Sequence, residues 1–280
     1  MNPSEQMINA MAQHSQPNFD KTKTALICID LVNDGSDENG FFKRVLNYDI
    51  SLLQRIEPNV IKLIAAAKQN YIPVIGVQAI YDLEYISPAM KERFEAMGIK
   101  GSLAPKGAWG SDIIPKIKGT GLDLIIIKSH YSAFAPERTF GFRPGNKAVE
   151  DYLLLPADKD EELESKGIKT MKDYFHESQI IQRDVDSYLK SGGVVSLDNY
   201  LKSKGISTLI ITGASTHVCV DSTLAAASER GYKLFEPIDA VAAEGIPGEG
   251  FQRHFTYLSN HGLFKSELTT AEKILQTLQK

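Results

Sequence analysis

Three residues of different chemistry stand at comparable places in this sequence. Asp30 closes the apolar run Thr24-Ala-Leu-Ile-Cys-Ile, Lys128 closes the run from Leu122, and Cys219 follows Gly213-Ala-Ser-Thr-His-Val, just past a third run. A carboxylate, an ammonium and a thiol are a base, a cation and a nucleophile, the set that covalent catalysis through sulfur requires. The carboxylate could take the thiol proton and the ammonium could hold the resulting thiolate. A cysteine at a helix start also feels the positive end of the helix dipole, so a pKa below the free value of about 8.5 is expected for Cys219. Each residue also has a plainer reading. Asp30 could cap a loop, Lys128 could be a solvated strand end, and Cys219 could be a small buried apolar side chain. Cys28 takes that last reading, because it lies inside the first run, two residues before Asp30.

The elements that must position these residues are legible as alternating patterns. Continuous apolar runs suit strands buried on both faces of a parallel sheet. They fall at 24–30, 72–77, 122–128, 208–213 and 233–237, with a short last candidate near 263–265. Helical spacing appears over 56–69, with Ile56, Val60, Leu63, Ile64 and Ala67 on one face. Further helices are expected over 196–204 from Ser196 as N-cap, over 218–230 ending at Gly231, and over 270–279. Strands alternating with helices argue for βαβ units and a doubly wound, mostly parallel sheet. Ligands of such sheets bind beyond the carboxyl ends of the strands, where Asp30, Lys128 and Cys219 all fall.

Two stretches stand outside this rhythm. Residues 1–20 have little periodicity and read as a mobile or loosely docked arm. Residues from about 140 to 193 hold no convincing apolar strand and read as a helical insertion. In it, Tyr174, Phe175, Ile180, Ile181, Val185 and Leu189 could form one apolar helix face. The rest of the chain, 21–280, reads as one domain.

The chain has 280 residues and a formal net charge of -4, with no basic cluster interleaved with aromatics, so neither nucleic acid nor an anionic membrane is an expected partner. Two cysteines do not make a disulfide framework in a chain of this length. The first twenty residues lack the apolar core of a signal peptide. A cytoplasmic setting follows as the expectation.

The spans "ALICIDLVNDG", "IIIKSHYSAF" and "LIITGASTHVCVDSTLAAASERGYKLFEPIDA" resemble the three signature blocks of the isochorismatase-like hydrolases, in that family's order. "GAWGSDIIPKI" resembles the segment before the family's lysine strand. The resemblance implies a Rossmann-like three-layer α/β/α fold with about six strands, carrying the insertion in addition. It implies a catalytic triad of Asp30, Lys128 and Cys219. It also implies a cis peptide at Ala214–Ser215 that turns the Ser215 N–H inward, where with the Cys219 N–H it forms an oxyanion hole. Tyr131, Ser132 and Phe134 are expected to line the pocket. Trp109 and His217 are candidates to face it, against plainer readings as a core tryptophan and a loop histidine. Arg143 is a candidate for pairing with a substrate carboxylate, against the default of a solvated arginine.

Nicotinamidases of this superfamily carry an Asp-x-His metal pattern after the second strand. Here that region is "GVQAIYDLEYISPAM", without histidine. The six histidines, His14, His130, His176, His217, His254 and His261, show no ligand spacing, so no metal and no cofactor are expected. Val32 stands where many members have Gln. The reading is therefore an amidohydrolase cleaving a C–N bond of a small amide, carbamoyl or ureido substrate, in a homo-oligomer. The alternatives are isochorismatase-type vinyl ether hydrolysis, which does not need the thiol, and a catalytically idle binding member. A nucleotide-binding domain is excluded because no G-x-G-x-x-G follows the first strand.

Overall fold

The computed structural model describes residues 3–99 and 101–280. Seven strands form one sheet: β1 Thr24–Ile29, β2 Val74–Ala79, β3 Leu124–Lys128, β4 Thr139–Phe142, β5 Thr208–Gly213, β6 Lys233–Pro237 and β7 Glu267–Thr269. Their order is β4-β3-β2-β1-β5-β6-β7. Every neighbouring pair is parallel except β3 and β4, which are antiparallel. Successive strand side chains point to opposite faces, so an unbroken apolar run supplies two cores at once. Leu26 and Cys28 join one buried cluster, while Ala25, Ile27 and Ile29 join the other.

Helices cover both faces. They include α1 Pro3–His14, α2 Ser51–Gln69, α3 Lys147–Leu153, α4 Asp160–Ser165, α5 Met171–Ser178, α6 Val185–Lys190, α7 Leu197–Ser203, α8 Asp221–Glu229, α9 Gln252–Phe264 and α10 Ala271–Gln279, with a further helix over Pro88–Ala96 and several single turns. Helix α2 lays Leu53, Ile56, Val60, Leu63, Ile64 and Ala67 against the Leu26 face, beside α10 and the apolar sides of α3 and α5. Each such Leu or Ile contributes about 1.5–3 kcal/mol by burial. The opposite face takes α1 and α6 to α9 through Ile8, Leu189, Leu201, Leu224 and Leu258. The result is the expected three-layer α/β/α architecture.

Four details differ from the sequence expectation. The sheet has seven strands, because the short Thr-Phe-Gly-Phe segment of β4 pairs along the free edge of β3. The last strand is Glu267–Thr269, and 263–265 lies at the end of α9 instead. Residues expected as a loose arm form α1, whose Ile8 and Ala12 are buried and whose following Ser15 bonds Glu267 at 2.7 Å. Within the insertion, Tyr174 and Phe175 are buried on α5 and Val185 and Leu189 on α6. Ile180 and Ile181 are exposed in the turn between, so there are two short helices rather than one continuous face.

Candidate active site

The three polar strand ends converge. Lys128 lies on β3 and Asp30 follows β1, two strand spacings away or about 10 Å. The buried lysine stem crosses the end of β2, and its Nζ sits 2.8 Å from Asp30 Oδ2. The same Nζ donates to Cys219 Sγ at 3.3 Å and to the His130 carbonyl at 3.0 Å. Asp30 leaves the strand with φ of 46°, a left-handed turn that Asp tolerates better than most residues. On the other side of β1, Gly213 ends β5 with φ of 109° and passes against Ile29. A Cβ there would lie 2.0 Å from the Ile29 carbonyl oxygen, so only glycine fits. The Ala214 N–H donates to that carbonyl at 2.8 Å, which fixes the following turn beside Asp30.

That turn holds the nucleophile. The Ala214–Ser215 peptide is cis, at the place the family resemblance implies. Residues Thr216–Val220 form a single π-type turn, and α8 begins only at Asp221. The Ser215 carbonyl accepts from the N–H groups of Val218 and Val220, which bracket Cys219. Ser215 Oγ donates to Glu244 Oε2 at 2.5 Å. The other Glu244 oxygen lies 3.5 Å from His217 Nε2.

A fourth polar group completes the cluster. The Tyr81 hydroxyl accepts from Lys128 Nζ at 2.8 Å, and lies 3.3 Å from Cys219 Sγ. Because its oxygen accepts from the ammonium, its own proton has two acceptors in reach, the sulfur and the His130 carbonyl at 3.4 Å. Sequence reasoning missed Tyr81. The signal was available, since it stands two residues beyond β2, at the same sheet edge as the other three.

Burial governs the ionisation of this cluster. It pushes the Cys219 thiol up to about 12, against the pull of Lys128. This reverses the lowering expected from the helix start, because the buried position costs a thiolate more than the turn returns. Burial also raises the Asp30 carboxyl, opposed by Lys128. For Lys128 burial acts downward, and the neighbouring Asp30 and Cys219 outweigh it, holding the ammonium above its ordinary range. Burial thus favours a neutral thiol at rest, with the Lys128 ammonium placed beside both the Asp30 carboxyl and the sulfur. Cys28, also pushed to about 12 by burial, sits inside the core as expected.

Cys219, Asp30 and Tyr81 border a cavity of about 70 Å³ together with Ala79, Leu103 and Ser215. Tyr131 stands one ring away, 6.3 Å from Tyr81 centroid to centroid. Phe134 is buried elsewhere, under Arg230 and beside Tyr232. Trp109 is 51% exposed, and its carbonyl accepts from the Asn33 side chain and the Asp112 N–H. Arg143 pairs with Asp186 at 3.3 Å at the far end of the sheet. Antiparallel β4 carries the chain away from Lys128, which lies opposite Thr139, so Arg143 cannot meet a substrate at this cavity. Among the described residues, no group of three or more His, Cys, Asp or Glu side chains is placed to hold a metal ion.

A three-layer α/β/α fold with a mostly parallel sheet carries a buried Asp–Lys–Cys cluster at its carboxyl edge, a candidate cysteine-hydrolase site. The isochorismatase domain matches residues 24–141 and 186–258, and the chain belongs to the isochorismatase family. The chain is 24% identical over 218 residues to the ureidoacrylate amidohydrolase RutB of Yersinia enterocolitica, covering 74% of this chain and 69% of the relative. It is 22% identical over 272 residues to RutB of Methylorubrum extorquens, covering 91% and 86%. Its fold is similar to a cysteine hydrolase from Pseudomonas syringae pv. phaseolicola, with a TM-score of 0.64 and 18% identity over 93% of this chain and 94% of that one. It is also similar to N-carbamoylsarcosine amidase from Thermoplasma acidophilum, with a TM-score of 0.53 and 20% identity over 89% and 97%.

Proposed function

We propose that this chain hydrolyses a C–N bond of a small amide, carbamoyl or ureido compound through a thioester on Cys219. The observation that carries the reading is Lys128 Nζ, 2.8 Å from Asp30 and 3.3 Å from the thiol sulfur. A proton passing from Cys219 to Asp30 moves negative charge from oxygen to sulfur while the ammonium stays beside both. The charge balance of the buried site is thus preserved through the transfer. The Tyr81 hydroxyl adds a donor to the sulfur as it becomes a thiolate.

The thiolate attacks the carbonyl carbon, and the C=O electron pair moves to oxygen. The backbone N–H groups of Ser215 and Cys219 receive that oxyanion. As the C–N bond breaks, the proton held on Asp30 passes to the leaving nitrogen, releasing ammonia or an amine. Water then gives a proton to Asp30 and attacks the thioester carbonyl. The sulfur leaves and recovers its proton from Asp30. A cavity of about 70 Å³ has room for about two waters, which suits the reacting end of an amide or ureide. The sequence relatives named ureidoacrylate amidohydrolase, and one structural neighbour named N-carbamoylsarcosine amidase, support the same class of bond.

The test is ammonia release across a panel of small amides and ureides, with the wild type beside Cys219→Ser. The expected result is turnover of at least one ureide by the wild type and a loss of at least roughly 100-fold in the variant. A rapid-quench mass spectrum should show the acyl adduct on Cys219. A folded Cys219→Ser variant with undiminished activity overturns the reading.

A further inference from the structure

The family match skips residues 142–185, the heart of the insertion. Yet this stretch carries Asp160, a buried carboxylate at the start of α4. Its Oδ1 lies 2.8 Å from Lys106 Nζ, and the Lys106 side chain is completely buried. Its Oδ2 accepts from the Tyr152 hydroxyl at 2.7 Å and from the Tyr85 hydroxyl. Lys106 Nζ also sits 3.7 Å above the Tyr152 ring. The four side chains come from three separate stretches, and two of those stretches build the active site.

Lys106 stands two residues after Ala104, which with Leu103 forms one wall of the Cys219 cavity. Leu103 exchanges two backbone hydrogen bonds with Tyr81, at 3.1 and 3.3 Å. Ala104 takes φ of 49°, a conformation a non-glycine residue holds only when its surroundings fix it. Tyr85 lies on the same connection as Tyr81, and its carbonyl accepts from Ser129 Oγ at 3.2 Å, one residue beyond Lys128. Asp160 thus grips the wall through Lys106 and the Tyr81 segment through Tyr85. Apolar packing can slide, whereas a buried ion pair with two added hydrogen bonds has one good geometry.

We propose that Asp160 is a positioning residue for the active site: through Lys106 and Tyr85, the insertion holds the Leu103–Ala104 wall and the Tyr81 segment in place, keeping the cavity small and excluding bulky substrates. The inference rests on the cysteine-hydrolase reading for its kinetic readout, and on cavity geometry alone for its chemical one.

The test compares wild type with the double variant Asp160→Asn/Lys106→Met, which removes both buried charges together. Glu161→Gln, at an exposed neighbour, is the control. The chemical readout is the ratio of Cys219 labelling rates by N-ethylmaleimide and iodoacetamide. The thiolate fraction cancels in that ratio, so it reports the room at the cavity mouth. We expect the ratio to rise at least fivefold, kcat/KM for the best small ureide to fall about tenfold, and preference to move toward bulkier amides. An unchanged ratio with unchanged preference in a folded protein overturns the proposal and leaves the cluster a structural clamp. If the double variant does not fold, Tyr85→Phe, which strands no charge, carries the same readouts, with a ratio within 1.5-fold of wild type as the overturning result. If no amide is turned over at all, the proposed function falls while the labelling ratio still decides this inference.

Discussion

At Cys219 the work of making a thiolate falls on neighbours within hydrogen-bond reach, Lys128 and Tyr81, both 3.3 Å from the sulfur. Tyr81→Phe removes one donor without opening the cavity. We expect kcat/KM to fall about tenfold, the equivalent of one hydrogen bond to a charged group. The sign follows from the chemistry: a thiolate that loses a donor has a higher pKa. Iodoacetamide labelling at pH 8–10 should therefore slow, while the maleimide-to-iodoacetamide ratio stays at its wild-type value. Labelling as fast as wild type would show that the phenol does not support the sulfur. Asp30, Lys128 and Cys219 were legible in the sequence because each ends or follows an apolar run, where a parallel sheet places its chemistry. Tyr81 lies at the same sheet edge but escapes that pattern, because it stands two residues past β2 rather than at the end of an apolar run. The thiol's direction of shift was misread because burial at 219 is set by side chains from β2 and the 103–104 wall, which no local pattern around Cys219 encodes.

The elements that hold this cluster depend on close backbone approaches, and Gly213 is the tightest. A Cβ there would meet the Ile29 carbonyl at 2.0 Å, forcing β5 away from β1 or Asp30 away from Lys128. Gly213→Ala should cost more than about 3 kcal/mol, seen as a large drop in melting temperature and loss of activity together. Gly205→Ala is the matched control, since Gly205 has φ of 65° but open space around its Cβ position. It should cost only about 1 kcal/mol. Equal losses in both variants would assign the effect to backbone conformation and remove the close approach from the argument. Long apolar strands and the stripe of α2 could be read directly, because their burial is written as period. The four-residue β4 could not, being too short to show alternation and stabilised by the edge of β3. Its direction decided the fate of Arg143. Helix α1 was equally hidden, because Ile8 and Ala12 are buried only once α9 and β7 provide a surface.

Across the whole molecule, the far half of the sheet is tied together by one histidine. His261 Nδ1 lies 3.0 and 3.1 Å from the two Glu236 oxygens on β6, and its Nε2 lies 3.1 Å from Asp221, the first residue of α8. Ser266 adds a bond to Glu236 at 2.8 Å, and Lys265 pairs with Asp221. The sequence shows six histidines without ligand spacing, and this role could not be read from it, because the partners are 25 and 40 residues away on other elements. Burial acts to lower the His261 pKa, but the carboxylates of Glu236 and Asp221 outweigh it and raise it to about 9. A folded pKa above the unfolded value of about 6.5 means that folding favours the protonated form. The stabilisation is complete below about pH 6.5 and is lost as pH rises through about 9, on the order of 3 kcal/mol over that window. Denaturant unfolding of the wild type should therefore give a midpoint that falls between pH 6.5 and 9. His261→Gln should be less stable at pH 6 and nearly flat over the same range. Because α8 begins two residues after the nucleophile, loosening this tie should also slow turnover as pH rises, before the protein unfolds. A wild-type midpoint that is level from pH 6.5 to 9 would mean that the imidazolium is not what joins β6 to the start of α8.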